Sequence, residues 1–237
     1  IIGAGLIGGD LARQIKQTFP KSKLFAIDLK KNIPLLAKSG LFEECAENTF
    51  DSITANSSTQ DLADADMRIL KNSSLVVLSC PPETSVQVLK QISSKLSPRQ
   101  IVIDLCSIKS PICQAAEELD LQGAQFIGAH PFFGNEKAGF ENSDTVEMFN
   151  KTFCLTPTSS STEFSVARLK RWLSSMKFRV FITDAQSHDR TVAMTSHVIQ
   201  LLASALGSTI FEELGENDPG NHLDHLALSG GALAGFS

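Results

Sequence analysis

Short apolar runs alternate with segments of helical periodicity along the first three quarters of the chain. Continuous runs of strand-forming residues, typical of strands buried on both faces, lie at 75–80 (LVVLSC), 101–105 (IVIDL) and 126–129 (FIGA). Further strand-like runs lie at 23–28, 153–156 and 180–182. Helical segments separate them at 6–18, 33–39, 83–96 and 163–176. This alternation predicts an α/β fold built on a doubly wound parallel sheet.

The pattern changes after residue 183. Residues 184–211 carry apolar positions at helical spacing without a strand signal, which predicts the start of an all-helical second domain. We therefore divide the chain into a sheet-containing domain at 1–183 and part of a helical substrate and dimerisation domain at 184–237. Between 40 and 74 the pattern is less regular, and we expect a short strand and a helix around 61–70. Both ends of the chain are expected to be cut, because it opens inside a predicted strand and closes in a glycine-rich segment.

Composition narrows the classes of function. A formal net charge of -5 over 237 residues argues against nucleic acid or an anionic membrane as partner, and no apolar run reaches the length of a membrane span. Five scattered cysteines without a C-x-x-C pair indicate a reducing compartment, so we expect a cytoplasmic protein, with a plastid as the alternative if a targeting segment precedes the chain. No metal site is expected. Tyrosine is absent, so a general acid or base must be a histidine, a lysine or a carboxylate.

A glycine-rich turn opens the chain, and an acid follows at the distance expected of a dinucleotide site. Gly3 permits the tight turn, Gly5 a close approach of the pyrophosphate, and Gly8 the packing of the helix that begins with Leu6 and Ile7. Asp28 ends the next strand, twenty residues after Gly8, where a carboxylate accepts hydrogen bonds from the ribose hydroxyls. The sequence thus predicts a Rossmann-type NAD site, and the nearby Lys30 and Lys31 keep NADP open. To this site we also assign Cys80, Pro81 and Pro82.

Three polar clusters follow predicted strands, where open α/β sheets bind their ligands. They are D-x-x-S-x-K at 104–109, HPFFGNEKAG at 130–139, and the pairs HD at 188–189 and SH at 196–197. With the opening GLIGG, these motifs in this order resemble the prephenate/arogenate dehydrogenase family over nearly the whole chain. The resemblance implies NAD(P)-dependent oxidative decarboxylation of prephenate to 4-hydroxyphenylpyruvate, or of arogenate to tyrosine, in tyrosine biosynthesis. It also implies a homodimer formed through the helical domain, and a carboxylate-binding arginine beyond Ser237.

The resemblance gives the catalytic role to His130. A neutral imidazole can accept the proton of the substrate's ring hydroxyl while the hydride leaves the same carbon. Ser107 is expected to bond the imidazole or that hydroxyl, and it can also be the N-cap of the following helix. Lys109 is either a surface charge or a structural, cofactor-proximal residue.

The resemblance also implies a set of substrate-binding residues. These are Asn135, Glu136, Ser196, His197 and Gln200. Asn135 and Gln200 stand where the family often has a hydroxyl residue and a second histidine, which leaves the choice between prephenate and arogenate open. His188 and Asp189 are interpreted as the start of a helix near the cleft.

Two other functions compete with this interpretation. A β-hydroxyacid dehydrogenase would share the glycine turn, but its catalytic lysine has no counterpart in residues 184–237, which contain no lysine. A cofactor-binding regulatory module without catalysis is the second alternative, and the presence of both His130 and Ser107 argues against it.

Overall fold

The computed structural model describes residues 1–47, 64–133, 138–145 and 151–215. The strands are β1 (Phe25–Asp28), β2 (Glu44–Glu47), β3 (Leu75–Leu78), β4 (Ile101–Asp104), β5 (Gln125–Phe132), β6 (Thr152–Pro157) and β7 (Arg179–Ile182). The helices are α1 (Leu6–Thr18), α2 (Ile33–Lys38), α3 (Asp64–Asn72), α4 (Pro82–Ile92), α5 (Ser110–Glu118), α6 (Glu163–Ser175), α7 (Ala185–Val192) and α8 (Val198–Gly215). The predicted α/β class is therefore confirmed.

The strands form a sheet whose centre is the start of the chain. β1 pairs with β2 in parallel, and β3 to β7 follow one another in order. Ile2 makes parallel bridges to Ile27 of β1 and to Leu78 of β3, so it joins the two groups. The first turn of the chain therefore leaves the middle of the sheet at the carboxyl ends of its neighbours, as a Rossmann-type fold requires.

Side chains alternate between two buried layers on the faces of this sheet. Val77, Ile103 and Ile127 pack into one layer with α1 and α6. Val76, Val102 and Phe126 pack into the other with α3, α4 and α5. Because each central strand is covered on both faces, its sequence is apolar throughout, and this is why these strands were predictable.

The direction of the last two strands differs from the prediction. β5 pairs with β6 antiparallel, and β7 runs parallel to β6, so the sheet is only mainly parallel. The reason lies in the connections. The chain leaves β5 and re-enters β6 at the same edge of the sheet, which gives an antiparallel pair, whereas α6 carries the chain back between β6 and β7.

β5 is also longer than predicted. We expected the strand to end at Ala129 and a loop to begin at His130, but the ladder with β6 continues through His130, Pro131 and Phe132. The pairing of β5 with β4 ends at Ile127, so this extension has a ladder partner on one side only. A proline is tolerated at such an edge, because its missing N–H leaves no ladder bond unmade. His130 is consequently fixed by a strand rather than by a loop.

The chain divides into two compact units, Ile1–His188 and Asp189–Ser237. In the second unit, the backbone makes a π-helical turn over Ala193–His197 before α8 begins. The assignment of residues 184–237 to substrate binding and dimerisation stays a prediction. Among the residues placed by the structure, no helix is both long enough and apolar enough to span a membrane.

Candidate active site

The glycine turn is packed too closely against the end of β3 to admit side chains. Gly3 has a φ of +84°, and a Cβ there would lie 2.7 Å from Cys80 Sγ and 2.8 Å from the Ser79 carbonyl oxygen. A Cβ on Gly8 would lie 2.7 Å from the Gly3 carbonyl oxygen. Both distances are shorter than van der Waals contact, so these two positions require glycine. The contact also brings Cys80, predicted to bind cofactor, against the turn.

Gly5 differs from these two glycines, because a Cβ there would meet nothing within 4 Å among the described residues. It is the N-cap of α1, and no described side chain caps this helix. The first N–H groups of a helix, here those of Leu6 and Ile7, have no acceptor within the helix. An open glycine beside free helix N–H groups is the arrangement that accepts a pyrophosphate, so these residues fit a dinucleotide.

Asp28 ties the end of β1 to the glycine turn. Its carboxylate is buried and accepts hydrogen bonds from the Ala4 amide at 2.6 Å and from the Leu29 amide and Asn32 Nδ2 at 2.7 Å. The acid therefore lies beside the turn, as the NAD prediction requires. Lys30, which kept NADP open, makes a surface ion pair with Glu47 at 3.6 Å.

The other two cofactor candidates lie where β3 passes into α4. Pro81 is the N-cap of α4, and Pro82 is its first residue. The Ser85 hydroxyl donates to the Cys80 carbonyl oxygen at 2.9 Å and fixes this turn. The structure thus brings the residues at 80–82 to the same sheet edge as the glycine turn.

A buried ion pair joins the ends of β4 and β5. Lys109 and Asp104 are both fully buried and bond each other directly. Asp104 Oδ1 accepts from the Ala129 amide at 3.0 Å, and Lys109 Nζ donates to the Ala129 carbonyl oxygen at 2.7 Å. The ion pair therefore binds both the backbone N–H and the backbone carbonyl of Ala129, the residue before His130. The interpretation of Lys109 as a surface charge was wrong, since its ammonium is inside the protein.

Ser107 lies in the turn that follows β4 and is exposed. The alternative that it caps the next helix was wrong, because α5 begins at Ser110 and Lys109 is its N-cap residue. Its predicted bond to the imidazole or to the substrate hydroxyl stays a prediction.

His130 is half-buried and contacts two other rings. Its Nδ1 lies 2.9 Å from Nε2 of His188, and the Phe132 ring centroid lies 4.2 Å from its own at an interplanar angle of 32°. His188 is 3% exposed and belongs to α7. Sequence reasoning placed His188 near the cleft but missed its contact with His130. Only the H-D pair, which lies inside α7 after the last strand, pointed to it.

The structure leaves the remaining substrate-binding candidates untested. Asn135 and Glu136 lie outside the described residues, and so do the side chains of His197 and Gln200. Ser196 is exposed on the π-helical turn of the second unit. Their predicted roles in substrate binding stay predictions.

Cys106 and Cys113 are disfavoured as thiolates. Burial and the neighbouring Asp104 raise the pKa of the Cys106 thiol to about 12, and burial raises the pKa of Cys113 to about 11. All five cysteines are free thiols. Within the described ranges, no three His, Cys, Asp or Glu side chains come together as metal ligands.

Comparisons with known proteins agree with the geometry. The sequence profile described as "Prephenate dehydrogenase, nucleotide-binding domain" matches residues 45–182, more than half of the chain. A prephenate dehydrogenase of Lactococcus lactis subsp. cremoris (strain MG1363) is 28% identical over 209 residues, which cover 87% of this chain and 52% of the relative. The chain spans about half the length of the curated relatives it matches.

Solved structures share the fold. Prephenate dehydrogenase from Aquifex aeolicus, in complex with hydroxyphenyl propionate and NAD+, superposes with a TM-score of 0.77 at 24% identity, over 99% of this chain and 74% of that one. Synechocystis arogenate dehydrogenase superposes with a TM-score of 0.70 at 24% identity, over the same shares of the two chains. These similarities confirm the Rossmann-type architecture.

Proposed function

Since the chain belongs to the prephenate dehydrogenase family, through the nucleotide-binding domain of that family, we propose that the whole protein is an NAD-dependent dehydrogenase that oxidatively decarboxylates prephenate or arogenate. The observation that carries the proposal is His130. It lies on β5 at the sheet edge where the glycine turn and Asp28 lie, and a buried ion pair holds the residue before it. Open α/β sheets bind dinucleotides at this edge, so an imidazole here would lie where a base can act on a substrate beside the cofactor.

NAD is the cofactor that fits the chain's own residues. Gly5 and the uncapped start of α1 would receive the pyrophosphate, and Asp28 would accept bonds from the ribose hydroxyls. An acid at this position disfavours the 2′-phosphate of NADP by charge repulsion. When bound, NAD accepts the hydride that leaves the substrate.

The role of His130 follows from the balance of the reaction. The ring carbon that carries the hydroxyl loses a hydride, and its hydroxyl proton passes to the imidazole as the C=O bond forms. The C–C bond to the ring carboxylate then breaks, its electron pair enters the ring, and CO2 leaves. The oxygen ends as a phenol, so the proton held by His130 returns to the product. Loss of CO2 makes the sequence effectively irreversible.

The substrate class is an acid with a cyclohexadienol ring, and the chain leaves two members open. Prephenate and arogenate differ in a keto or an amino group on the side chain. Asn135, Glu136, Ser196, His197 and Gln200 are the residues proposed to contact the substrate. Asn135 and Gln200 bear on the choice, because each can donate and accept hydrogen bonds without carrying a charge.

We extend the proposal to a homodimer formed through the helical unit, working in the cytoplasm on the route to tyrosine. Support for the assembly comes from α8, where Leu201, Leu202 and Leu206 are 69%, 65% and 51% exposed. An apolar helix surface of this kind is typical of an interface between subunits. Support for a reducing compartment comes from the five unpaired cysteines.

A cofactor-reduction assay tests the function. The whole protein is given NAD and, in separate reactions, prephenate and arogenate, and NADH absorbance is followed. Reduction with either acid supports the proposal and identifies the substrate. A protein that binds NAD by calorimetry but reduces it with neither acid would contradict the proposal and favour the non-catalytic regulatory module.

A further inference from the structure

Chemistry can decide which of the two histidines donates the hydrogen bond between them and which accepts it. His130 Nδ1 and His188 Nε2 are 2.9 Å apart, which is hydrogen-bond distance. A neutral imidazole has one N–H and one lone pair, so one ring donates and the other accepts. The two arrangements place the proton of His130 on different nitrogens.

We propose that His188 is a positioning residue that accepts the Nδ1–H of His130 and so holds His130 in the tautomer that can act as a base. This inference rests on the proposed function. With the proton on Nδ1, the lone pair of His130 lies on Nε2, the nitrogen that does not face His188. In the opposite tautomer Nε2 carries the proton and cannot take another, and the lone pair is directed at His188.

The same contact serves both states of the reaction. When His130 takes up the substrate's proton at Nε2, its Nδ1–H still donates to His188 Nε2. The hydrogen bond therefore persists through proton transfer, and the ring need not reorient. A bond to a charged donor is stronger than a bond between neutral groups, so the acceptor also stabilises the imidazolium as it forms.

The surroundings of His188 suit an acceptor held in one place. Its side chain is 3% exposed and belongs to α7, so the ring is enclosed by the protein. Its amide donates to the Asp184 carbonyl oxygen at 3.0 Å, and the Asp184 carboxylate accepts from the Ser187 amide at 2.8 Å at the start of α7. The beginning of the helix is thus fixed, and His188 with it.

The Phe132 ring packs against both histidines. Its ring centroid lies 4.2 Å from that of His130 and 6.1 Å from that of His188. Such tilted ring contacts limit rotation of the imidazole about its χ angles.

Two substitutions separate the acceptor from the packing. His188→Met fills a similar volume but offers no nitrogen acceptor, whereas His188→Gln places an amide oxygen near the position of Nε2. With the substrate that the wild-type protein turns over, we expect His188→Met to lower kcat about 100-fold. KM should stay within about twofold, since the proposed role of His188 is to hold His130 and not to bind substrate. His188→Gln should recover at least about tenfold of that loss.

Gln186→Met is the matched control, because this residue is exposed and lies two positions before His188 on the same helix. It should leave kcat unchanged. If kcat of His188→Met stays within about twofold of wild type, or if His188→Gln is as impaired as His188→Met at equal melting temperature, the positioning role is wrong.

A tautomer measurement keeps this test separate from the proposed function. Nitrogen NMR of histidine-labelled protein distinguishes Nδ1–H from Nε2–H, and the signals of the five histidines can be assigned by substitution. We expect the Nδ1–H form of His130 in the wild type and a mixture in His188→Met. An Nε2–H form in the wild type would overturn the inference. A wild-type protein with the Nδ1–H form but no turnover of either acid would overturn the function and leave the contact established.

Discussion

At the scale of single residues, the proposed chemistry depends on one imidazole. Replacing His130 with Asn keeps a polar group on β5 but removes the proton acceptor. We expect kcat of the whole protein to fall by roughly 10²–10⁴-fold. The NAD dissociation constant should change little, because the glycine turn and Asp28 are separate from this side chain. Steady-state kinetics and calorimetry measure the two quantities, and a variant with near wild-type kcat would exclude His130 as the base.

The buried ion pair makes a second prediction, on stability. Lys109→Met leaves the Asp104 carboxylate in the core without its cation, and breaking a buried pair in this way costs about 3–5 kcal/mol of unfolding free energy. Adding Asp104→Asn removes the uncompensated charge while an oxygen still accepts from the Ala129 amide. The double variant should therefore be more stable than the single one in urea denaturation. If the unfolding free energy of Lys109→Met lies within about 1 kcal/mol of the wild-type value, the ion pair does not stabilise this part of the core.

Sequence reasoning reached His130 but not its surroundings. Its place after an apolar strand and the motif around it sufficed to select it. The burial of Lys109 could not be predicted, because the sequence spacing of an aspartate and a lysine five residues apart is the same for an exposed pair and a buried one. The contact with His188 joins residues 58 positions apart, and no local pattern encodes such a pairing.

At the scale of elements, the turn between the first strand and α1 offers a paired prediction. Gly3→Ala forces a Cβ to within 2.7 Å of Cys80 Sγ at a positive φ, so we expect a large loss of stability. In Gly5→Ala the new Cβ meets no described residue within 4 Å, so the melting temperature should match that of the wild type. The added methyl group would nonetheless lie where the pyrophosphate approaches, and NAD affinity should fall at least about tenfold.

The pair of variants also contains its own control. If Gly5→Ala binds NAD as tightly as the wild-type protein, the pyrophosphate does not lie over this turn. If Gly3→Ala folds normally, the packing of the turn against β3 is not tight. Thermal unfolding and titration calorimetry of both variants give the comparison.

Helices and strands were predictable where their burial produces a recognisable pattern of apolar residues in the sequence. The central strands are apolar throughout because both faces are covered, and their positions were predicted to within a few residues. The direction of β6 was not predictable, since an apolar run looks the same in a parallel and an antiparallel strand. The length of β5 was misjudged for a related reason. Pro131 signals a strand end in general, but here it lies in a stretch with a ladder partner on one side only.

At the scale of the whole molecule, the sheet gathers its functional groups at one edge. The glycine turn, Asp28 and the residues around Cys80 lie at the carboxyl ends of the central strands, and β5 carries His130 beyond the end of β4. The residues proposed to bind the cofactor and the proposed base therefore lie on different strands, and the sheet topology places them at one edge. This is why a fold prediction from the alternating pattern also led to the proposed site.

The proposed homodimer is the last prediction, and it belongs to this scale. Leu201 and Leu202 are largely exposed on α8 in the second unit, and a glutamate at both positions would place charge in an apolar interface. We expect the double variant Leu201→Glu, Leu202→Glu to sediment at half the mass of the wild-type protein in analytical ultracentrifugation. Phe164→Glu is the control, since this residue is 76% exposed but lies on α6 of the first unit, and it should leave the mass unchanged. If the leucine variant keeps the mass of the wild type, α8 is not the interface. If Phe164→Glu dissociates the assembly instead, the first unit supplies the contact.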